Sequence, residues 1–180
     1  MGKVMHLFRS PQKHTGMEEL CEAPAVENHG FAGCAHARPG GKRQVLLVDM
    51  ETLRAMHLTP GMLRENITTE GLAVNALKSG QRLRVGEVEL EVSVVCEPCE
   101  LMEVIRPGLL AALVGRRGMM CRVLTGGTVR QGDEIAVALA AEAVCGVGSQ
   151  ESGAMNYGGG WGLRTSVGAS AGRSLPPVLS

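Results

Sequence analysis

Two cysteines three residues apart, Cys96-Glu-Pro-Cys99, are the first residues in this sequence that could do chemistry. Three readings are open for them. They are half-buried thiols at a strand end, closed off by the proline. They are a redox dithiol, with a helix start lowering one thiol pKa. Or one thiolate is a soft metal ligand or a sulfur carrier. Glu97 and Glu100 flank the pair, and their negative charge raises a thiol pKa, which weighs against a fast redox dithiol.

A second group is Gly33-Cys34-Ala35-His36-Ala37. With Cys96 and Cys99 it has the makings of a Cys3His zinc site, although the spacing matches no common zinc module. A third is Arg116-Arg117-Gly118, with Arg122 and Arg130 close in sequence. Guanidinium forks hold phosphate bidentately, and glycine lets backbone N–H groups approach it. A solvated loop is the plain alternative. The fourth is the stretch 64–71, RENITTEG, whose amide and hydroxyls suit a heterocycle in a concave loop, or simply a turn.

These groups must be positioned by strands. Residues 87–95 alternate strictly: Val88, Leu90, Val92 and Val94 on one face, Glu87, Glu89, Glu91 and Ser93 on the other. Residues 82–85 lead into that strand. Residues 44–50 (QVLLVDM) form a continuous apolar strand, after which Asp49 caps a short helix over 51–57. Residues 1–8 alternate and suit an edge strand. Residues 107–114 begin with proline and read as a short helix. Residues 119–124 and 128–138 flank Gly126-Gly127 and predict a hairpin, with a bend or bulge at Gly132-Asp133. Many short strands without βα alternation predict a mostly β fold, a small β-barrel with a few short helices.

Composition narrows the partners. The 180 residues carry 18 Lys+Arg and 18 Asp+Glu, a formal net charge of zero. That argues against binding nucleic acid through bulk charge and against a polybasic membrane anchor. Phe8, Phe31, Tyr157 and Trp161 are the only aromatics, too few for a base-stacking platform. The start, MGKVMHLFRSPQKHTG, has no apolar signal core, and the longest apolar run, 135–141, is far too short to span a bilayer. The compartment is therefore read as cytoplasmic and the six cysteines as mostly reduced. Residues 143–180, rich in Gly and Ser without helix or strand period, are read as a disordered tail beyond a domain spanning 1–142.

Taken in order, the segments resemble one family. GFAGCAHA (30–37), RQVLLVD (43–49) and PGMLRENITTEGL (60–72) are followed by GQRLRVG (80–86). EPC then ends at Cys99, before GRRGMM (115–120) and RVLTGGTVRQGDEI (122–135). This is similar to the MOSC domain, named after the C-terminal domain of molybdenum cofactor sulfurases. The resemblance implies a β-barrel-type fold and a molybdenum cofactor, a molybdopterin with a dithiolene and a phosphate. It implies one working cysteine, Cys99, as a molybdenum ligand or as the carrier of a persulfide. Arg116 and Arg117 would clamp the phosphate with Arg122 nearby, Asn66 and Thr68 would contact the pterin, and His36 would line the pocket. The same thiolate would serve sulfur transfer (a sulfurtransferase) or a molybdenum-dependent reductase of N-hydroxylated compounds. Implied partners are a molybdoenzyme, a cysteine desulfurase or an electron-transfer protein. Pyridoxal phosphate would enter only through a separate desulfurase. One departure stands out: Cys34 occupies a position where the family pattern has Asp, and a thiol supplies no charge there at neutral pH.

Overall fold

The computed structural model describes residues 1–13 and 15–138. The tail reading of 143–180, with Tyr157 and Trp161, lies outside the described residues. Seven strands close a barrel. They are β1 (Gly2–Arg9), β5 (Val45–Asp49), β6 (Ile67–Glu70), β7 (Arg82–Val85), β8 (Val88–Val95), β9 (Met119–Thr125) and β11 (Glu134–Val137). Their order is β11-β7-β8-β9-β5-β6-β1, and β1 returns to β11 through Gly2↔Ile135 and Lys3↔Glu134. The fold is the mostly β barrel that the sequence predicts, with three short helices among the described residues.

Closure changes the role of β1. It pairs with β6, β11 and the short β2 (Glu18–Leu20), so it is no edge strand. Closing the sheet is the way a barrel removes its edges. The expected hairpin at Gly126-Gly127 does not form either. β10 (Gly127–Arg130) leaves β9 and pairs with β3 (Glu22–Val26), which pairs with β4 (Gly30–Phe31). The two glycines serve close approach rather than a turn. A Cβ on Gly126 would lie 3.0 Å from the Ala25 carbonyl oxygen, and one on Gly127 would lie 2.8 Å from Glu87 Cγ.

Two cores share one wall. Inside the barrel, alternate residues of the strands pack together, among them Leu47, Ile67, Leu90, Val92 and Cys121. Outside it, Leu46 and Val48 of β5 pack against the helices α1 (Met50–Ala55), α2 (Leu101–Ile105) and α3 (Leu109–Ala112) through Leu53, Met102 and Leu109. This explains why β5 reads as an unbroken apolar run: both of its faces are covered, as in buried parallel strands. β5 does pair in parallel with β6, through Leu47↔Ile67. Asp49 caps α1 as expected, its Oδ1 accepting the Thr52 N–H at 2.7 Å.

Candidate functional site

β8 delivers the two cysteines. Its register shifts between Val92 and Val94, which turns Ser93 toward the carbonyls of Lys42 and Met120 (2.8 Å to the latter). The strand ends at Val95, and the next residues split in their fates. Cys96 is 1% exposed and packs into the outer core. Burial pushes its thiol up; Arg117 and then Arg43 oppose that shift, while Cys99 and Glu97 add to it slightly. Cys99, three residues on, is exposed. Cys96 is thus a small core hydrophobe with an inert thiol.

Arg117 and Gly118 precede β9 and meet this turn. The Gly118 carbonyl accepts the Cys96 N–H at 2.9 Å. Gly118 has φ +105°, and a Cβ there would fall 2.1 Å from the Leu47 carbonyl oxygen, so no side chain fits. Its own N–H donates to Asn75 Oδ1 at 3.1 Å, and Asn75 Nδ2 donates to Thr52 Oγ1 at 2.9 Å and Asp49 Oδ2 at 3.2 Å. The strand end is therefore tied to the start of α1.

Arg117 differs from the expected phosphate clamp. It is only 8% exposed and its guanidinium points inward. Nη1 donates to the Glu97 carbonyl at 2.8 Å, and Nη2 to the Leu63 carbonyl at 3.3 Å. Nη1 also lies 3.8 Å from Cys99 Sγ. Its Nε is buried without a hydrogen-bond partner. Arg116, next to it, is exposed. Arg122 lies on the outer face of β9, with Nε 3.0 Å from Glu91 Oε1 but not aligned for a hydrogen bond.

The residues of RENITTEG face inward. Asn66 Oδ1 accepts the Leu46 N–H at 3.0 Å, and Nδ2 donates to the Phe8 carbonyl at 3.1 Å and to Cys34 Sγ at 3.6 Å. Thr68 is fully buried and donates to Glu65 Oε1 at 3.1 Å. Glu65 is buried too. Its Oε1 also accepts the Gly61 N–H at 2.6 Å, and burial pushes its carboxyl pKa up. The amide and hydroxyl expected at a heterocycle are thus spent on the fold.

Cys34 packs in the barrel core while Cys96 packs outside the wall, so the Cys3His zinc arrangement does not form. Among the described residues no cluster of three or more His, Cys, Asp or Glu is placed to hold a metal ion. His36 is exposed in the loop after β4, one turn from Cys34. The structure therefore brings Cys96, Cys99 and Arg117 together, with Arg43 close enough to act on the Cys96 thiol. The sequence reading did not single out Arg43 or Asn75. Arg43 was visible as the first residue of RQVLLVD; Asn75 had no signal, because its partners Asp49, Thr52 and Gly118 are distant in sequence.

Comparison with known proteins agrees with this architecture. The chain superimposes on the YuaD protein of Bacillus subtilis with a TM-score of 0.64 and 21% identity, covering 75% of this chain and 94% of that one. YiiM of Geobacillus stearothermophilus gives a TM-score of 0.64 at 18% identity, covering 77% and 76%. YiiM of Escherichia coli gives 0.55 at 21%, covering 77% and 69%. At such identities the likeness is one of fold. No curated protein matches the sequence significantly. The MOSC domain profile matches residues 36–136, more than half of the chain and every strand from β5 to β10. The chain belongs to the MOSC domain family.

Proposed function

We propose that this MOSC-family chain binds the molybdenum cofactor, or carries sulfur for it, through the thiolate of Cys99. The observation that supports this most is the unequal fate of two neighbouring thiols: Cys96 is sealed in the outer core and Cys99 is exposed beside a buried guanidinium. A dithiol would need both within reach of solvent and of each other.

The donor set fits such a cofactor. One exposed soft thiol suits molybdenum. The exposed Arg116, with Arg43 near enough to act on the Cys96 thiol, supplies positive charge for the phosphate in a chain with no net charge. The charge of Arg117 reaches the site too, although its two bonded nitrogens are engaged by carbonyls. His36 would line the pocket, with Arg122 as a further cofactor contact. Asn66 serves the frame, tying the start of β6 to β1 and β5, and Thr68 braces Glu65 within the same segment. When bound, the cofactor supplies a metal centre for electron-pair and oxygen-atom exchange. The chain's part is to ligate it at Cys99 Sγ, to hold its phosphate and to keep the second thiol out of reach.

As a sulfur carrier, the Cys99 thiolate would attack the outer sulfur of a donor persulfide, R–S–SH. The S–S bond of the donor breaks, R–S⁻ leaves, and Cys99 holds the S–SH group, with no net redox change. A cysteine desulfurase, with its own pyridoxal phosphate, is the donor class this asks for, in the cytoplasm. No helix of the described residues is long and apolar enough to cross a membrane.

The test is composition of the purified protein. Molybdenum with an oxidisable pterin supports cofactor binding. A mass increment of one sulfur on the peptide containing Cys99, after incubation with a desulfurase and cysteine, supports sulfur carrying. Neither one, in folded protein, contradicts the proposal.

A further inference from the structure

We infer that Arg117 is the positioning residue that makes this a one-thiol site: its buried guanidinium pins the backbone between the two cysteines, so that Cys99 stays presented and Cys96 stays sealed. Two consecutive residues hold two consecutive residues. Gly118 accepts the Cys96 N–H at 2.9 Å, and Arg117 Nη1 donates to the Glu97 carbonyl at 2.8 Å. The other end of the guanidinium, Nη2, reaches the Leu63 carbonyl at 3.3 Å, and Leu63 is fully buried in the outer core. The Cys96–Cys99 turn is thereby stapled to the core rather than merely resting on it. A planar fork reaching two carbonyls is geometry that Arg provides and Lys does not.

The position is held at a cost. Arg117 Nε is buried with no acceptor, and buried donors are rarely left unpaired. A side chain placed only to fill that space would be apolar. The gain is selectivity between two thiols three residues apart. A disulfide needs Cβ atoms about 3.5–4.5 Å apart. With the Cys96 N–H and the Glu97 carbonyl both held, Cys96 cannot swing out of the core toward Cys99. The charge of Arg117 also opposes the rise in the Cys96 thiol pKa. Geometric sealing, not charge, therefore keeps Cys96 silent.

This inference rests on Cys99 as the working thiol for its purpose. Its test uses neither molybdenum nor a sulfur donor, so the two can fail separately. Wild-type, Arg117→Met and Arg117→Lys full-length proteins are pulsed with iodoacetamide, and labelling is resolved by peptide mass. Cys121, fully buried inside the barrel, reports general loosening. In Arg117→Met, Cys96 should label at least about tenfold faster than in wild type while Cys121 does not change, tenfold being the equivalent of one charge-assisted hydrogen bond. Arg117→Lys, keeping the charge and one donor, should fall between the two. Diamide should remove two hydrogens from the Cys96–Cys99 pair in the Met variant, its N=N bond being reduced to the hydrazine, and leave both thiols free in wild type. Equal acceleration of Cys96 and Cys121, or a Cys96 as protected as in wild type, overturns the inference. Should the Met variant not fold, the Lys variant carries the same comparison with a several-fold expected change.

Discussion

Replacing Asn66 with alanine should cost the fold heavily and reveal this residue as a structural clamp. Its side chain joins three segments. Oδ1 takes the Leu46 N–H at 3.0 Å, and Nδ2 gives one bond to the Phe8 carbonyl at 3.1 Å and a weak one to the Cys34 thiol at 3.6 Å. Its main chain adds bonds to the same two residues, Asn66 N–H to Leu46 O and Phe8 N–H to Asn66 O. Leu46, Phe8 and Asn66 are all buried, so water does not replace what the amide provides. Asn66→Ala leaves one N–H and one carbonyl unpaired, at about 1–3 kcal/mol each, or roughly 2–6 kcal/mol in sum. The thiol loses little, being a weak acceptor. That loss is a large share of a typical domain stability of about 5–15 kcal/mol. Asn66→Asp keeps an acceptor for Leu46 but sets a second oxygen against the Phe8 carbonyl, so it should be at least as costly. Urea titration followed by far-UV circular dichroism measures both. With a slope of roughly 2 kcal/mol/M the midpoint falls by about 1–3 M, the slope itself unchanged. An alanine variant within about 0.5 kcal/mol of wild type that nevertheless loses cofactor binding would refute the reasoning and return Asn66 to the pterin.

Gly118→Ala puts a Cβ 2.1 Å from the Leu47 carbonyl oxygen at φ +105°, and should cost more than about 4 kcal/mol by thermal unfolding; a loss below about 1 kcal/mol would show that the strand junction yields. Glu65 has a carboxyl pKa raised by burial above 4.5, so the native state holds the proton more tightly than the unfolded chain. Its contribution to stability is complete below about pH 4.5 and is lost as pH rises through the folded value. The stability of wild type relative to Glu65→Gln should therefore fall as pH rises above 4.5, and a flat difference would mean that the acid is not desolvated. In native wild-type protein, iodoacetamide should label Cys99 and Cys21 first and Cys34, Cys96 and Cys121 last, because the first two are exposed and the others buried. Early labelling of Cys96 would contradict its place in the outer core.

The barrel was legible because its signals are local. The alternation of residues 88–95 survives as β8 with Val88, Leu90 and Val92 inside, and the apolar run 45–49 is β5. What was illegible is nonlocal pairing. β3 carries Pro24 between two alanines, a poor strand signal, and most of its register is set by β10, about a hundred residues away. The glycines at 126 and 127 carry the composition of a turn but sit where two backbones meet. α2 is five residues long and owes its place to Met102 in the outer core, too short a segment for a helical period to show. At the site, the sequence could name Cys99 and the paired arginines through the family pattern. It could not say which way each side chain points. Arg116 and Arg117 are adjacent and alike in type, yet one is exposed and the other is held by two carbonyls that lie 20 and 54 residues away. Likewise Cys34 stands where the family pattern has Asp, and it packs in the barrel core as the acceptor of the Asn66 amide. That role suits a small apolar residue and needs no charge.

The most direct test of the account is to co-produce the protein with an intact molybdenum cofactor supply as wild type, Cys99→Ser and Cys96→Ser, and to measure molybdenum and sulfane sulfur per folded chain. Serine preserves size but is a poor soft donor. Cys99→Ser should lose both signals, while Cys96→Ser should keep them near wild-type levels with at most a modest loss of stability. Equal loss in the two variants would show a dithiol at work, and retention of both signals in Cys99→Ser would remove Cys99 from the chemistry altogether.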